Sequence, residues 1–305
     1  MLCYTAILTA TSAIINDMHN HNDDEPIELG HTHCGNTTFH WGKRTYIMGI
    51  INVSPDSFAG DGLGNNIAAA VAKANRFVAE GADIIDVGGE STRPGSTPIS
   101  IDEELNRVIP VLKRLTEEIT LPLSIDTYKL EVAQKALDVG ASMINDIWGL
   151  KQEPRLAELA AQRGGPLILM SNQRDISPHH DVIFPDIISV IIADLHRAIQ
   201  RALAMGVPLE NIIIDPGLGF GKTQEQNLGI MRRLEELKIL GRPILLASSR
   251  KSIIGRVLDL PPEQRLEGTM ATVATGIAKG ADTVRVHDVK EIARVCKMSD
   301  AIIRG

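Results

Sequence analysis

Features that are scarce in this 305-residue chain exclude several classes of protein. It has only three cysteines, Cys3, Cys34 and Cys296, an odd number at wide spacing. This usage argues against a disulfide framework and favours a reducing cytoplasm. No apolar run approaches the ~18 residues of a membrane-spanning helix, and the N-terminus lacks the basic start of a signal peptide.

Positive charge is also in short supply. Lys and Arg number 31 against 38 Asp and Glu, which gives a formal net charge of −7. Because nucleic-acid binding depends on neutralising phosphates, this balance argues against general affinity for nucleic acid. It is still compatible with a local basic pocket for a small anion, so we expect small-molecule partners and neither nucleic acid nor membrane.

One stretch looks like an ATP-binding loop but lacks a required residue. Residues 215–223 read DPGLGFGKT and end in Gly-Lys-Thr. A P-loop needs a glycine five residues before its Gly-Lys pair, and that position holds Pro216, which has no N–H to offer a phosphate. The informative part is the apolar run NIIID before the stretch, which ends in Asp215.

From Tyr46 onward, short apolar runs alternate with amphipathic stretches. The runs predict eight strands: 45–52, 82–89, 121–127, 142–146, 165–170, 211–215, 243–249 and 282–287. Three- and four-residue apolar spacing predicts eight helices: 67–80, 102–118, 128–138, 153–163, 186–205, 225–239, 266–279 and 288–303.

Buried strands alternating with helices indicate a parallel sheet, and eight units predict an α/β fold, the (β/α)₈ TIM barrel. A doubly wound open sheet is the alternative, but it usually has Gly-x-Gly-x-x-Gly after its first strand, where this chain has NVSPDSF. We place the single barrel domain at 37–305 and a flexible N-terminal extension at 1–36. HTHC, residues 31–34, is interpreted as solvated tail rather than a metal site.

In TIM barrels, the groups that follow the strands ring one mouth. Here they include Asn52, Asp126, Asn145, Asp146, Asp215, Arg250, Lys251, Arg285 and His287. Any single Asp at a strand end is more often a helix N-cap. Asp126 could be one, and Asp288 is expected to cap the last helix. A polar group after nearly every strand favours a binding site instead.

The charges of this mouth suit a particular kind of ligand. Lys251, Arg285 and His287 lie in the last two units, where TIM barrels commonly bind phosphate, beside the helix that begins near residue 288. Carboxylates and amides on the other side can accept hydrogen bonds from the N–H edge of a heterocycle. The sequence therefore suggests a flat, nitrogen-rich ring attached to phosphate.

From about Phe39 to the C-terminus the chain resembles the dihydropteroate synthases. The motifs that carry the resemblance are MGIINVSPDSF, GADIIDVGGESTRPGS, SIDT, NDI, DPGLGFGK, SRKSIIG, EGT and RVHDV. The resemblance implies a pterin-binding barrel of folate biosynthesis, usually a homodimer. Such an enzyme joins 6-hydroxymethyl-7,8-dihydropterin pyrophosphate to p-aminobenzoate and releases pyrophosphate.

The resemblance also implies roles for individual residues. The pterin would be held by Asp126, Asn145, Asp215, Lys251 and Arg285. The pyrophosphate would be held by Asn52, Arg285 and His287, with Asn52 also placing a Mg²⁺ cofactor. Thr92, Pro94 and Ser252 would form the p-aminobenzoate pocket, and Asp61 and Arg93 would close over the site. The catalytic set would be Lys251, Arg285, Asp126, Asp61 and Arg93, with a dissociative, SN1-like loss of pyrophosphate.

Four positions depart from the pattern common in that family. Gly60 looks like an insertion before Asp61, Ser171 stands where histidine is frequent, Ala247 replaces a glycine, and Trp148 replaces a small residue. These departures lie beside the substrate and sulfonamide sites. They bear on drug sensitivity and loop geometry more than on the type of reaction.

Two alternatives belong to other functional classes. A corrinoid-type pterin methyltransferase shares the barrel and the pterin-binding groups, but it has no evident need for Lys251, Arg285 and His287 or for the STRPG loop. A non-catalytic binding relative is disfavoured because the matched site positions are intact.

Overall fold

The computed structural model describes residues 29–53, 67–92 and 96–305. These ranges contain ten strands: β1 (His31–Cys34), β2 (Thr37–His40), β3 (Tyr46–Asn52), β4 (Ile84–Gly88), β5 (Leu123–Asp126), β6 (Met143–Asp146), β7 (Leu167–Met170), β8 (Ile212–Asp215), β9 (Leu245–Leu246) and β10 (Thr283–Val286). The eight predicted strands are all present as β3 to β10.

Strands β3 to β10 form one parallel sheet in the order β8–β7–β6–β5–β4–β3–β10–β9. A parallel bridge from Ile214 in β8 to Ile244 beside β9 joins its two ends. The sheet is therefore closed into a barrel, as predicted. Closure is favoured because these strands are buried along almost their whole length.

The described ranges also contain nine α-helices: α1 (Ile67–Glu80), α2 (Ile101–Glu118), α3 (Leu130–Asp138), α4 (Arg155–Arg163), α5 (Ile187–Ala204), α6 (Gln224–Arg232), α7 (Ser252–Leu258), α8 (Leu266–Ala278) and α9 (Val289–Ile303). Local capping explains several of the boundaries. Ser100 caps α2 by accepting the Glu103 N–H, and Thr223 and Gln226 form a capping box on α6.

Two helix predictions needed correction. The stretch 225–239 is not one helix, because α6 ends at Arg232 and a 3₁₀ segment, Leu234–Leu240, follows. Helix α7 was missed, since it has only seven residues and follows directly on the strand-end motif SSRK. It adds a helix N-terminus at the mouth of the barrel.

The core has an outer and an inner part. Alternate strand residues such as Val284 and Val286 pack outward against the helices. The intervening residues point into the barrel, where Met48, Ile84 and Met143 fill its lower half. Polar groups occupy the upper half, at the carboxyl ends of the strands, so a binding site is possible there.

The sequence interpretation of residues 31–34 as solvated tail was wrong. Strand β1 pairs antiparallel with β2, and alternation turns Thr32 and Cys34 inward, where they are buried. The Thr32 hydroxyl accepts from the Trp41 indole at 2.8 Å and donates to the Glu210 carbonyl. This hairpin packs with the inner barrel core, so the barrel domain includes residues before 37.

The described residues, 29–53, 67–92 and 96–305, include two of the three cysteines. None of the helices in those ranges is long and apolar enough to cross a membrane. Cys34 and Cys296 are free and buried, and burial raises the pKa of the Cys34 thiol to about 11. No group of three or more potential metal ligands occurs in the same part of the chain.

Candidate active site

Strand register sets several of the predicted polar residues at one level. Asn52 is aligned with Gly88, Gly88 with Asp126, and Asp126 with Asn145. Asp215 is aligned with Met170 at the end of β7. Because these positions lie at or next to the carboxyl ends of parallel strands in one barrel, Asn52, Asp126, Asn145 and Asp215 belong to one rim.

Arg285 crosses the barrel mouth to meet two carboxylates. Its Nε donates to Asp86 at 2.6 Å and its Nη2 to Asp126 at 2.7 Å. The Arg285 side chain therefore points into the barrel mouth. Asp126 therefore does not cap α3, whose N-cap residue is Lys129.

Asp86 is the main site residue that sequence reasoning missed. It is fully buried, and the Asn145 amide donates to its Oδ2 at 3.3 Å. Among the described residues its Oδ1, which is also buried, has no hydrogen-bond partner. A carboxylate inside the apolar strand IIDVG was the available signal, because an Asp is rarely fully buried unless it is paired.

The two carboxylates compete for one guanidinium. Burial raises the pKa of Asp126, Arg285 lowers it, and the negative Asp86 raises it again, to about 7 overall. Like charges held close together cannot both ionise easily. Asp126 can therefore hold a proton near neutral pH, and its carboxyl group can then donate as well as accept a hydrogen bond.

Asp215 is held by the glycine-rich loop that follows it. Its Oδ1 accepts the Gly217 N–H at 2.7 Å, and burial raises the pKa of its carboxyl. Gly217 and Gly221 both have positive φ. A side chain at either would lie within 2.3 Å of the backbone after β7, at Ser171 or Gln173, so this loop requires glycine there.

Lys222 belongs to the Gly-Lys-Thr sequence but contacts protein carbonyls. It is 1% exposed, and its Nζ donates to the carbonyls of Ser171, Gly217 and Phe220 at 2.7–3.2 Å. Burial lowers its pKa to about 7. The lysine ties the β8 loop to the β7 loop, which explains the motif without ATP.

Lys251 and Arg174 flank an aromatic ring at the mouth. Lys251 Nζ donates to the Leu218 carbonyl at 2.7 Å and lies 4.9 Å from the centre of the Phe220 ring. Arg174 lies 4.3 Å from the same ring. Burial lowers the pKa of Lys251 to about 8. Sequence reasoning did not select Arg174 or Phe220.

A cavity of about 490 Å³ lies beside this cluster. Its lining includes Ser96, Arg174, Lys222, Ser252 and Arg256. Ser252 is the first residue of α7, so it stands at a helix N-terminus, where anions are favoured. Thr92 is tied to the same area, because its carbonyl accepts from Arg174 at 2.8 Å.

The last strand adds a second polar group. His287 Nδ1 lies 3.0 Å from the Ser249 hydroxyl, which also accepts the His287 N–H at 3.2 Å. Asp288 occupies the N-cap position of α9, as expected, but the cap is not made by its side chain. Its carboxylate pairs with Arg250, at 3.0 Å from Nε, and makes no cap hydrogen bond.

The departures from the family pattern have local explanations. Ser171 donates to Asp194 at 3.0 Å and accepts from Gln173 at 2.9 Å, so it belongs to a buried polar network. Trp148 packs beside Met170 and Phe220, and Ala247 joins the inner barrel core. Gly60, Asp61, Arg93 and Pro94 lie outside the described residues.

Comparison with known proteins identifies the family. Residues 48–287 match the family model described as pterin binding enzyme. The dihydropteroate synthase of Bacillus subtilis is 51% identical over 261 residues, 86% of this chain and 90% of that protein.

Two solved structures extend the comparison. Clostridium difficile dihydropteroate synthase, determined with pteroic acid, is 50% identical with a TM-score of 0.82 over 88% of this chain and 100% of that one. The Yersinia pestis enzyme, determined with a sulfonamide drug, is 38% identical with a TM-score of 0.85 over 90% and 100%.

The fold and the rim of carboxylates, amide and guanidinium thus define a pterin-binding (β/α)₈ enzyme. Within that class, the chain belongs to the dihydropteroate synthase family. The sequence-based recognition of the family is confirmed.

Proposed function

We propose that the barrel mouth condenses 6-hydroxymethyl-7,8-dihydropterin pyrophosphate with p-aminobenzoate to give 7,8-dihydropteroate and pyrophosphate. The observation that carries this proposal is the pairing of Arg285 with Asp86 and Asp126 on the rim that also holds Asn145 and Asp215. The membership of the dihydropteroate synthase family supports it.

In this proposal the acceptors of the rim hold the pterin. Asp215 uses one oxygen for Gly217, which leaves the other for the amino edge of the ring. Asp126 and Asn145 bind the remaining N–H groups, and Lys251 lies against the ring face. Charge-assisted hydrogen bonds to such an edge are roughly twice as strong as neutral ones.

We assign the binding of pyrophosphate to Asn52 at the end of β3 and to Arg285 and His287 at the end of β10. Mg²⁺ favours oxygen ligands and is usually held by few protein groups together with substrate phosphates. The Asn52 amide oxygen fits that role. The described residues contain no group of three or more His, Cys, Asp or Glu side chains that could hold a metal ion. When bound, Mg²⁺ would offset the negative charge of pyrophosphate.

We propose a dissociative course without a covalent enzyme intermediate. The bond from the pterin methylene carbon to oxygen breaks, and its electron pair leaves with pyrophosphate. The arylamine nitrogen then attacks the resulting cation with its lone pair and afterwards loses a proton. The described chain contributes by orienting the ring against carboxylates, where developing positive charge is stabilised.

The p-aminobenzoate is assigned to Thr92, Pro94 and Ser252, with Ser252 and the start of α7 near its carboxylate. The cavity of about 490 Å³ beside Phe220 supports this placement. Sulfonamide binding at the same place is part of the proposal. Asp61 and Arg93 remain predicted to close over the site.

The decisive experiment is turnover of the pterin pyrophosphate with p-aminobenzoate, with and without Mg²⁺. We expect dihydropteroate only when both substrates and Mg²⁺ are present. A normal secondary deuterium isotope effect at the methylene carbon is expected for the dissociative course, and an effect near unity would contradict it. Absence of condensation under all these conditions would reject the proposed function.

The variant Arg285→Lys tests whether Arg285 acts on the pyrophosphate half or on the pterin half of the substrate. Lysine keeps the charge but loses the planar fork that reaches both carboxylates. We expect turnover of the pyrophosphate substrate to fall more than affinity for a pterin without phosphates. Equal losses for both ligands would mean that Arg285 serves the ring alone.

We also propose that the protein is a homodimer and that it is located in the cytoplasm. Helix α9 exposes Met298 and Ile302, at 61% and 70%, and we assign these two side chains to the contact between subunits. Analytical ultracentrifugation of Ile302→Glu should then show monomer where the wild type shows dimer. Ile183→Glu, at another exposed apolar residue, is the control and should leave the dimer intact.

A further inference from the structure

Lys129 is a half-buried lysine that the proposed chemistry does not use. It precedes α3 on the connection that leaves Asp126, and its side chain is only 11% exposed. Its Nζ donates to Glu90 and Glu104 at 2.6 Å each and to the Ile99 carbonyl at 2.9 Å. An ammonium has three N–H donors, so each of them has a partner.

The three partners of Lys129 all belong to one connection and the helix after it. Glu90 lies two residues after β4 ends, and Ile99 lies two residues before α2 begins. Glu104 stands in the first turn of α2. One ammonium group therefore ties the beginning of the β4–α2 connection to its end and to the following helix.

Further hydrogen bonds reinforce the same tie. The Ile99 N–H donates to Glu90 at 3.2 Å, and the Tyr128 hydroxyl donates to the other oxygen of Glu90 at 3.1 Å. Tyr128 and Lys129 are neighbours on the β5–α3 connection. Both ends of the β4–α2 connection are thus bonded to the connection that directly follows β5, the strand that carries Asp126.

The connection held in this way leads to the proposed arylamine pocket. It contains Thr92, whose carbonyl is bound by Arg174, and Ser96, which lines the cavity together with Ser252. Lys129 itself does not line this cavity. It can influence the pocket only by setting where the connection lies.

A gain in stability alone does not account for the ion-pair triad of Lys129, Glu90 and Glu104. Replacing buried ion pairs by apolar side chains is often neutral or stabilising, yet Glu104 is only 1% exposed. Burial by itself lowers the pKa of Lys129, but its hydrogen bonds with Glu104 and Glu90 raise it above the usual value. The lysine is therefore charged, and its three directional bonds fix geometry in a way that apolar packing would not.

We infer that Lys129 is a positioning residue for the arylamine substrate, an inference that rests on the proposed function. It holds the described parts of the β4–α2 connection, residues 89–92 and 96–100, at a fixed place relative to the pterin carboxylates. A displacement of about 1 Å in a reacting geometry can cost roughly a hundred-fold in rate. Removing Lys129 should therefore damage use of p-aminobenzoate while leaving the pterin rim intact.

The test compares Lys129→Met, the double variant Lys129→Met with Glu104→Gln, and Arg304→Met. The double variant removes the buried carboxylate that the single variant leaves unpaired, so it protects against a simple failure to fold. Arg304 is the matched control, since it is 16% exposed and binds Asp300 and the carbonyls of Gly42 and Ala281. Asp300 binds Thr45, the residue before β3, so this pair lies at the opposite end of the barrel.

For each protein, KM for both substrates, kcat, pterin affinity by calorimetry and Tm are measured. We expect both Lys129 variants to raise KM for p-aminobenzoate by roughly ten-fold or more, with pterin affinity unchanged. A larger share of pterin pyrophosphate should also be lost to hydrolysis. Arg304→Met should lower Tm without changing either KM.

Two results would overturn the inference. One is a KM for p-aminobenzoate in the folded double variant equal to that of the wild type. The other is a loss that affects both substrates equally and scales with the fall in Tm. Failure of the wild type to condense the substrates would instead reject the proposed function, so the two failures are distinguishable.

Discussion

The Asp86 carboxylate lies 2.6 Å from Nε of Arg285, and neither residue is placed near the other by the sequence. One stands on β4 and the other on β10, 199 positions apart. Asp86 is wholly buried, and Arg285 is its ion-pair partner. Arg285 is in turn oriented toward Asp126, where the pterin is proposed to bind.

The first prediction concerns this pair. Asp86→Ala leaves Arg285 with one carboxylate in place of two, and breaking a buried pair typically costs about 3–5 kcal/mol. Urea denaturation should show a loss of that order, together with weaker pterin binding. Asp138→Ala is the control, since Asp138 is 36% exposed in its pair with Arg163 and such surface pairs contribute about 0–1 kcal/mol. Equal losses in the two variants would contradict the role of Asp86.

The second prediction concerns Asp215. Asp215→Asn removes the charge but keeps an oxygen that can accept the Gly217 N–H, so the fold should persist. A hydrogen bond to a charged group is worth about 1.5–3 kcal/mol, which predicts a ten- to hundred-fold loss of pterin affinity by calorimetry. Asp282→Asn provides the control, because Asp282 is also buried and accepts a backbone N–H, from Ile244. Unchanged affinity in folded Asp215→Asn would remove Asp215 from the site.

The third prediction concerns pH. In the folded state the pKa of Asp126 is raised to about 7, against about 3.9 in an unfolded chain. Between these values the folded state binds more protons, so stability falls as pH rises from about 4 to 7, by at most about 1.4 kcal/mol per pH unit. The contribution is complete below about pH 4 and lost above about pH 7.

Asp126→Asn removes this titration. The free energy of unfolding of the wild type minus that of the variant should therefore decrease between about pH 4.5 and about pH 7.5. Urea denaturation at both pH values measures this difference, and other titrating groups largely cancel in it. A constant difference across the range would show that Asp126 ionises normally.

The fourth prediction concerns the glycines after Asp215. Gly217 and Gly219 both have positive φ, but only Gly217 approaches backbone, since a Cβ added there would lie 2.0 Å from the Ser171 carbonyl oxygen. Gly219→Ala should cost about 1–2 kcal/mol for the left-handed conformation alone. Gly217→Ala should cost a further ~1–3 kcal/mol because the loops must move apart. Thermal denaturation decides, and equal Tm losses would show that the steric contact is unimportant.

The architecture of the barrel could be predicted from the amino-acid sequence alone. Short apolar runs placed every strand from β3 to β10, because residues of a buried parallel strand must be apolar whatever their neighbours are. Polar residues at strand ends then predicted a rim, since parallel strands bring their carboxyl ends together. Asn52, Asp126, Asn145 and Asp215 followed from that rule.

The pairing of the charges, in contrast, became visible only in the folded chain. Asp86, Lys129 and Lys222 lie inside or beside segments that look structural, and their partners are distant in sequence. The hairpin of β1 and β2 was missed for a related reason. Its inward-facing residues pack against inner barrel residues that only the folded chain brings beside them. Periodicity reports which face of a strand or helix is buried, but a charge acquires its role from the group that folding brings within about 3 Å of it.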